Sequence, residues 1–401
     1  MNILVFNCGS SSLTYKIFEA GSSGSPGIAL SGKAHRVGVK GAVSSSIENT
    51  HLGVTEKTEI AINNHGDAAA LALKLIINRA IPVDLVGHRF VHGGEYFKSS
   101  ALLNAATLKK LKLCLPLAPI HNPISLEVIQ KTTEFMPSVG QYVVFDSAFH
   151  STIPPEAYTY CLPRKVIKKF GFRKYGFHGL SYSYITTETA RILQRPVKGM
   201  KIVACHLGTG GSSVAAIANG KSLDNSMGYS PLTGLVMSTR SGDLDPLLAV
   251  YIMYMYGYRS HDLLDILNKK SGLLGVSGFS SDITDILSRA RSGVHEIQSN
   301  LAVNMYVHRL KKYIGAYTAV LGGMDALVFT DDIGAKNAQI RQKICENMQW
   351  CGVEIDENAN FRETDGKKEA LINTKNSKVK ILVIPTKEEL VICLEGMRLV
   401  K

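Results

Sequence analysis

The sequence predicts a duplicated α/β fold in two domains, on three observations. The chain has 401 residues, more than one compact core needs and enough for two. A buried-strand pattern that runs into a turn of small residues occurs twice: Ile3-Leu4-Val5-Phe6 into Asn7-Cys8-Gly9-Ser10-Ser11-Ser12, and Ile202-Val203-Ala204-Cys205 into His206-Leu207-Gly208-Thr209-Gly210-Gly211-Ser212-Ser213. Each is followed by an acid-tipped apolar strand, Tyr142–Asp146 in the first half and Ala326–Asp332 in the second. Asp146 lies 139 residues after Asn7, and Asp331 lies 125 after His206.

The remaining elements follow from periodicity and breakers. Asp67–Asn78 carries alanine and leucine at helical spacing. Leu247–Tyr256 is uniformly apolar and reads as a buried helix. Ser299–Leu321 reads as a longer helix stopped by Gly322-Gly323. Residues 21–27 and 355–378 are polar and rich in turn formers, and read as surface hairpins or loops. Val379–Ile384 reads as a strand that Pro385-Thr386 breaks, and Glu388 opens a last helix to about Gly396.

Composition excludes several classes. Apolar residues at 45% and charged residues at 19% are an ordinary globular balance, which argues against a disordered or fibrous chain. The seven cysteines are widely spaced without a Cys-x-x-Cys, which argues for a reducing compartment and against a zinc site. The N-terminus lacks a basic leader, and no apolar run is long enough to cross a bilayer, so a cytoplasmic protein without a membrane role is expected. The net charge of +12 is scattered. It suits solubility and steering of anionic ligands better than a nucleic-acid stripe, and no nucleic-acid partner is expected.

The chemistry-bearing residues sit in rigid, small-residue settings. Gly9–Ser12 and Gly208–Ser213 suit phosphate oxygens through backbone N–H groups and hydroxyls, while no Gly-x-x-x-x-Gly-Lys-Ser/Thr motif occurs. Arg89 in Gly87–Gly94 and Arg240 in Ser238–Asp243 offer planar forks for phosphoryl or carboxylate oxygens. His121 and His178 stand in backbone-fixing contexts, whereas His150 reads as structural. None of these three has another histidine four residues away, so oxygen-held Mg²⁺ fits better than a histidine metal site. Asp146 and Glu388, each just past an apolar strand, are the candidate carboxylates.

Taken together, these segments resemble the acetate kinase family over nearly the whole chain. The resemblance is carried by Asn7-x-Gly9-Ser10-Ser11-Ser12, Gly87–Gly94, Leu117–Pro123, Phe145–His150, Tyr175–Gly179, Asp224–Pro246 and Val383–Leu390. It implies the duplicated actin-like, sugar-kinase-like fold, of ribonuclease H-like type. Residues 1–148 with about 385–401 would form one domain and 149–384 the other. Arg89 and Arg240 would flank the transferring phosphoryl group, with His178 on its equatorial oxygens, His121 close by, and Asp146 among the catalytic residues. Asn7 and Glu388, with Asp146, would position Mg²⁺ or Mn²⁺ directly or through water. Val91, Ile120, Phe177 and Pro231 would hold the methyl group of acetate. Asn7, Ser10, Ser12, Lys16, His206, Gly208, Thr209, Gly210 and Gly211 would hold phosphate. A homodimer is implied as well. A carboxylate needs no base to become a nucleophile, which agrees with the absence of a serine nucleophile or a general-base pair.

Several positions depart from the family pattern. Thr14 stands for a lysine, Thr209 for an asparagine and Thr284 for an arginine, and Gly210-Gly211 replaces a single glycine. The usual Thr-Gly-Gly-Ile-Gly-Glu-Asn is Thr330-Asp331-Asp332-Ile333-Gly334-Ala335-Lys336. Two aspartates there add bulk and negative charge, so Asp282, Asp331, Asp332, Ile333 and Gly334 are expected around an occluded nucleotide pocket. This set resembles the pyrophosphate-dependent branch, whose implied reaction is acetyl phosphate + phosphate ⇌ acetate + pyrophosphate. The alternatives are an ATP-dependent acetate or propionate kinase and a non-catalytic binding protein of the same fold.

Overall fold

Ile3, Leu4, Val5 and Phe6 are wholly buried because their strand, β1 (Asn2–Cys8), is covered on both faces. The computed structural model describes residues 1–21, 25–39, 45–293, 295–362 and 365–401. Two units emerge, Met1–Phe149 with Lys387–Lys401, and His150–Thr386. In the first, β1 is joined by β2 (Ser12–Glu19), β3 (Gly27–His35), β4 (Ser46–His51), β5 (Val54–Glu59), β6 (Leu85–Phe90), β7 (Ala101–Leu102) and β8 (Gly140–Phe145). Their order is β5-β4-β3-β2-β1-β6-β8-β7. The β1–β6 and β6–β8 pairs are parallel, and β2 and β3 run antiparallel beside them.

The second unit builds β9 (Lys201–Gly208), β10 (Gly211–Ala218), β11 (Lys221–Asn225), β12 (Ala326–Thr330), β13 (Ala370–Leu371) and β14 (Lys380–Val383), ordered β11-β10-β9-β12-β14-β13. Here β9–β12 and β12–β14 are parallel and β9–β10–β11 antiparallel. Strand for strand, β3-β2-β1-β6-β8 matches β11-β10-β9-β12-β14. The expected duplication is therefore present, with one correction. Asp146 follows β8, the third parallel strand, but Asp331 follows β12, the second. The two acid tips are not topological equivalents, because both strands are buried apolar runs that sequence cannot tell apart.

Helix boundaries follow their caps. The helix His65–Asn78 starts where Asn64 accepts the Asp67 N–H at 2.7 Å, and it buries Ala68, Ala69, Ala72, Leu73 and Ile76 on one face. The helix Glu296–Leu321 ends at Gly322, whose φ of 62° is the left-handed conformation expected there. The last helix spans Glu388–Leu399.

Two expectations need revision. The apolar helix Pro246–Tyr256 is present but buries none of its residues; apart from half-buried Ile252, its large side chains are 40% to 83% exposed. Hydropathy alone cannot separate a helix facing a core from one facing solvent or a partner. The stretch 355–378 is not all loop: it holds the helix Glu357–Arg362 and strand β13, although residues 363–364 lie outside the described residues. Of 21–27, residues 22–24 likewise lie outside them.

Candidate active site

The three parallel strands of the first unit bring their C-terminal ends together, and the polar residues follow. Asn7 ends β1, Arg89 lies in β6 and Asp146 comes directly after β8. Glu388 and Glu389 open the final helix. Arg89 grips Asp146 with a fork, Nε to Oδ1 at 3.0 Å and Nη2 to Oδ2 at 2.6 Å, and its Nη1 donates to Asn7 Oδ1 at 2.9 Å. Glu388 Oε2 lies 3.7 Å from Arg89 Nη1 and accepts from Asn7 Nδ2 at 3.1 Å. Burial works against charge on the Arg89 guanidinium, but the Asp146 and Glu388 carboxylates outweigh it and hold its pKa above the ordinary value.

Lys16, expected on phosphate, pairs with Glu389 at 3.1 Å, and Asn7 Nδ2 donates to the same carboxylate at 2.8 Å. Burial pushes the Glu389 pKa up; the Lys16 charge and the bonds from Asn7 and Lys16 bring it below the ordinary carboxylate value. A depressed pKa stabilises the fold above the unfolded-state value and stops doing so as pH falls through the folded-state value. Glu389→Gln is therefore expected to lose about 1–2 kcal/mol at pH 7. Denaturant titrations should show that difference closing below about pH 4.

Ser10 is exposed and Ser12 half-buried in the turn where Gly9 N–H donates to Ser12 O at 2.9 Å. Val91 is buried beyond β6, and Asn122 ties this segment to the following helix by accepting the His92 N–H at 3.1 Å and donating to His92 O at 3.0 Å. His121 stands at the N-terminal boundary of that helix without a capping side-chain bond, and Ile120 is half exposed.

In the second unit, two histidines stack with ring centroids 4.0 Å apart, His178 and His206. His178 begins the helix Gly179–Leu193 in a left-handed conformation, φ 61°, strained for a side-chain-bearing residue. Ser213 Oγ lies 2.8 Å from His178 Nδ1 and 2.6 Å from the Tyr182 hydroxyl, and Ser181 Oγ lies 2.9 Å from His206 Nδ1. The β9–β10 hairpin sets Ser213 directly opposite His206. A Cβ built on Gly211 would meet Arg240 Nη1 at 3.2 Å and His178 Nε2 at 3.6 Å, so both cationic or donor groups converge on this glycine. Arg240 donates to Pro231 O at 3.2 Å and has no carboxylate partner among the described residues. Burial alone pulls its pKa below the ordinary value. Phe177 is buried and Pro231 half-buried.

The two aspartates close on the hairpin. Asp331, φ 66°, sets Oδ2 at 3.1 Å from His206 Nε2 and stands where any side chain on Gly208 would collide with it. Asp332 accepts the Thr209 N–H at 3.0 Å and its hydroxyl at 2.8 Å. Gly210 has open space around it.

Beside these residues lies an open cavity of about 570 Å³, lined in part by Asp282, Asp332, Ile333, Arg291, Lys336 and Phe361. Asp331 is not among its lining residues and turns toward His206. Asp282 serves its helix as cap, accepting the Thr284 N–H at 2.8 Å. The fully buried Arg341 holds the cavity wall, donating to Gly334 O at 2.9 Å, Ala335 O at 2.7 Å and Asn360 Oδ1 at 2.8 Å.

The sequence profile of the acetokinase family matches residues 2–394. The chain belongs to that family. An acetate kinase of Thermoanaerobacter pseudethanolicus is 42% identical over 410 residues, which cover 100% of this chain and 99% of that one. Among solved structures, acetate kinase from Entamoeba histolytica is 44% identical, with 99% of each chain covered and a TM-score of 0.89. A propionate kinase from Francisella tularensis is 35% identical over 98% of each chain, also at 0.89. The fold is accordingly the two-domain actin-like, sugar-kinase-like one of acetokinases.

Of the expected site residues, those near Arg89 and those near Arg240 form two polar clusters, one in each unit. Sequence reading missed the anchors. Ser181, Tyr182 and Arg341 carry no motif of their own, Ser213 and Glu389 lie in motifs without a role read for them, and only the hairpin register and the helix phase reveal what all five touch.

Proposed function

We propose that the chain transfers a phosphoryl group between a small carboxylate, acetate or propionate, and a second phosphate-bearing substrate. The observation that carries this reading is Arg240. A partly buried guanidinium held, among the described residues, by a backbone carbonyl and no carboxylate, and converging with His178 on a glycine, suits an anionic ligand. In the step, a carboxylate oxygen attacks phosphorus in line while the bond to the leaving oxygen breaks. Arg240 and His178 neutralise and hydrogen-bond the phosphoryl oxygens as that charge spreads. Arg89 is committed to Asp146 and Asn7 within its own unit.

Asn7 and Glu388 present the hard oxygen donors that suit Mg²⁺ or Mn²⁺, with Asp146 orienting Arg89 beside them. Among the described residues no three His, Cys, Asp or Glu side chains form a metal cage, which fits an ion held by few protein groups, water and phosphate. Such an ion would neutralise phosphate charge.

Two readings of the second substrate have support. The nucleotide reading is the better supported by the comparisons, since the relatives carry plain acetate or propionate kinase names, and a cavity of about 570 Å³ is of ligand size. The inorganic phosphate and pyrophosphate reading is favoured by Asp331 and Asp332, whose carboxylates occupy the His206 and Thr209 donors of the phosphate hairpin. Thermal unfolding with Mg²⁺ tests them. A ligand at about 100 times its Kd stabilises by about 2.7 kcal/mol. Protection by ADP or ATP supports the first reading, and protection by pyrophosphate without nucleotide the second.

The homodimer has a suitable face in the exposed helix Pro246–Tyr256, which carries no charged side chain. At roughly 200 Å² per aromatic side chain, the exposed parts of Tyr251, Tyr254, Tyr256 and Tyr258 amount to about 500 Å². Leu247, Leu248, Val250, Met253 and Met255 bring this toward the roughly 800 Å² that each partner contributes to a standard interface. Two copies of a +12 chain meet best on an uncharged face, where a two-fold contact sets like residues near like. Sedimentation should give twice the 43.6 kDa chain mass, and Tyr254→Glu should give the monomer. A wild-type monomer would contradict this assembly.

A further inference from the structure

We infer that Asp243 is a positioning residue that sets Arg240 for phosphoryl transfer. The inference rests on the role proposed above for Arg240. An arginine that has no carboxylate partner among the described residues must be aimed by its backbone. Its segment, 234–243, is a loop whose two ends are pinned together by Asp243. The Asp243 N–H donates to Gly234 O at 3.1 Å, and Asp243 Oδ1 accepts the Gly234 N–H at 2.8 Å. Gly234 and Gly242 flank the loop at φ 99° and 70°, conformations that let the chain turn sharply at each end.

The other carboxylate oxygen fastens this base to the long helix Glu296–Leu321. Tyr313 donates to Asp243 Oδ2 at 2.7 Å, and Arg309 Nη1 lies 3.5 Å from it. Arg309 also donates to Gly234 O at 2.7 Å. At the far side, Met237 N–H donates to Arg240 O at 3.2 Å, and the segment 267–273 receives the loop through Ser241 N–H to Leu267 O and Leu273 N–H to Met237 O. The loop is thus clamped on two sides, and the clamp nearer the helix passes through one carboxylate. Asparagine keeps the shape of Asp243 and can still accept from Gly234. Its amide NH₂ would face the Tyr313 hydroxyl, which must turn from donor to acceptor, and the Arg309 cation, which loses its carboxylate, so the helix side of the clamp is weakened. A loop shift of about 1 Å is enough to cost up to about 10²-fold in rate.

Four proteins decide the matter by acetyl phosphate turnover: wild type, Asp243→Asn, Arg240→Ala and the double variant. Asp243→Asn should lower kcat about tenfold or more, with KM within about threefold. In the Arg240→Ala background it should cost less than about twofold, since it acts through a side chain no longer present. Added guanidinium should restore part of the Arg240→Ala turnover and little of the double variant's. Equal losses in both backgrounds, or an Asp243→Asn rate within about twofold of wild type, would overturn the inference. Unchanged turnover of Arg240→Ala would instead overturn the role of Arg240, and this inference with it. If Asp243→Asn does not fold, Tyr313→Phe removes a single bond of the clamp and should lower kcat only when Arg240 is present.

Discussion

Arg240→Ala is expected to reduce phosphoryl transfer about 10³-fold or more while leaving the unfolding midpoint unchanged or higher. The rate loss follows from the charge that spreads over the phosphoryl oxygens, for which an arginine is worth roughly 10³–10⁵. The stability result follows from what the side chain touches. Its guanidinium is partly buried, bonded to Pro231 O and offset by no carboxylate among the described residues, so its removal relieves desolvation and breaks one neutral-acceptor bond. A residue that serves function at the expense of stability leaves this signature. Paired turnover and calorimetry measure it. A variant that lost several degrees along with its activity would show that Arg240 holds the fold.

Arg89→Ala should behave in the opposite way, losing both activity and stability. Asp146 is 1% exposed, and both of its oxygens bond the Arg89 fork. Removing the arginine strands this carboxylate beside that of Glu388, which breaks a buried ion pair at about 3–5 kcal/mol. At roughly 2–4 °C per kcal/mol for a unit of this size, the midpoint should fall by roughly 10 °C. Asp146→Asn in the same chain should return part of the loss, because a neutral amide tolerates burial better. A midpoint within roughly 2 °C of wild type would mean that the pair is not energetically coupled. The two arginines look alike in sequence, each set between glycines and polar residues, but one is held by carboxylates and the other is not.

That difference marks the limit of what the chain reveals unaided. The buried strands, the paired small-residue turns and the helix stop at Gly322 were legible because their causes are local. The family motifs marked Asn7, Arg89, His178, Arg240 and Glu388. Partners that arise from register and packing were not legible. Ser213 meets His178 only because a hairpin places it opposite His206. Lys16 faces Glu389, 373 residues away, only because the last helix returns to the first sheet. The apolar run at 246–256 gave its helix but not its surroundings, since hydropathy does not say which face lies toward protein. The acid tip after β12 gave a strand end but not its place in the sheet order.

The most direct measurement is the consumption of acetyl phosphate by the purified protein with Mg²⁺, supplied in parallel with ADP and with inorganic phosphate. The account predicts steady turnover with one of these acceptors and its loss in Arg240→Ala. Turnover with ADP gives the cavity beside Asp332 to a nucleoside, and turnover with phosphate alone gives Asp331 and Asp332 a part in excluding it. A folded protein that consumed acetyl phosphate with neither acceptor would contradict the proposed phosphoryl transfer.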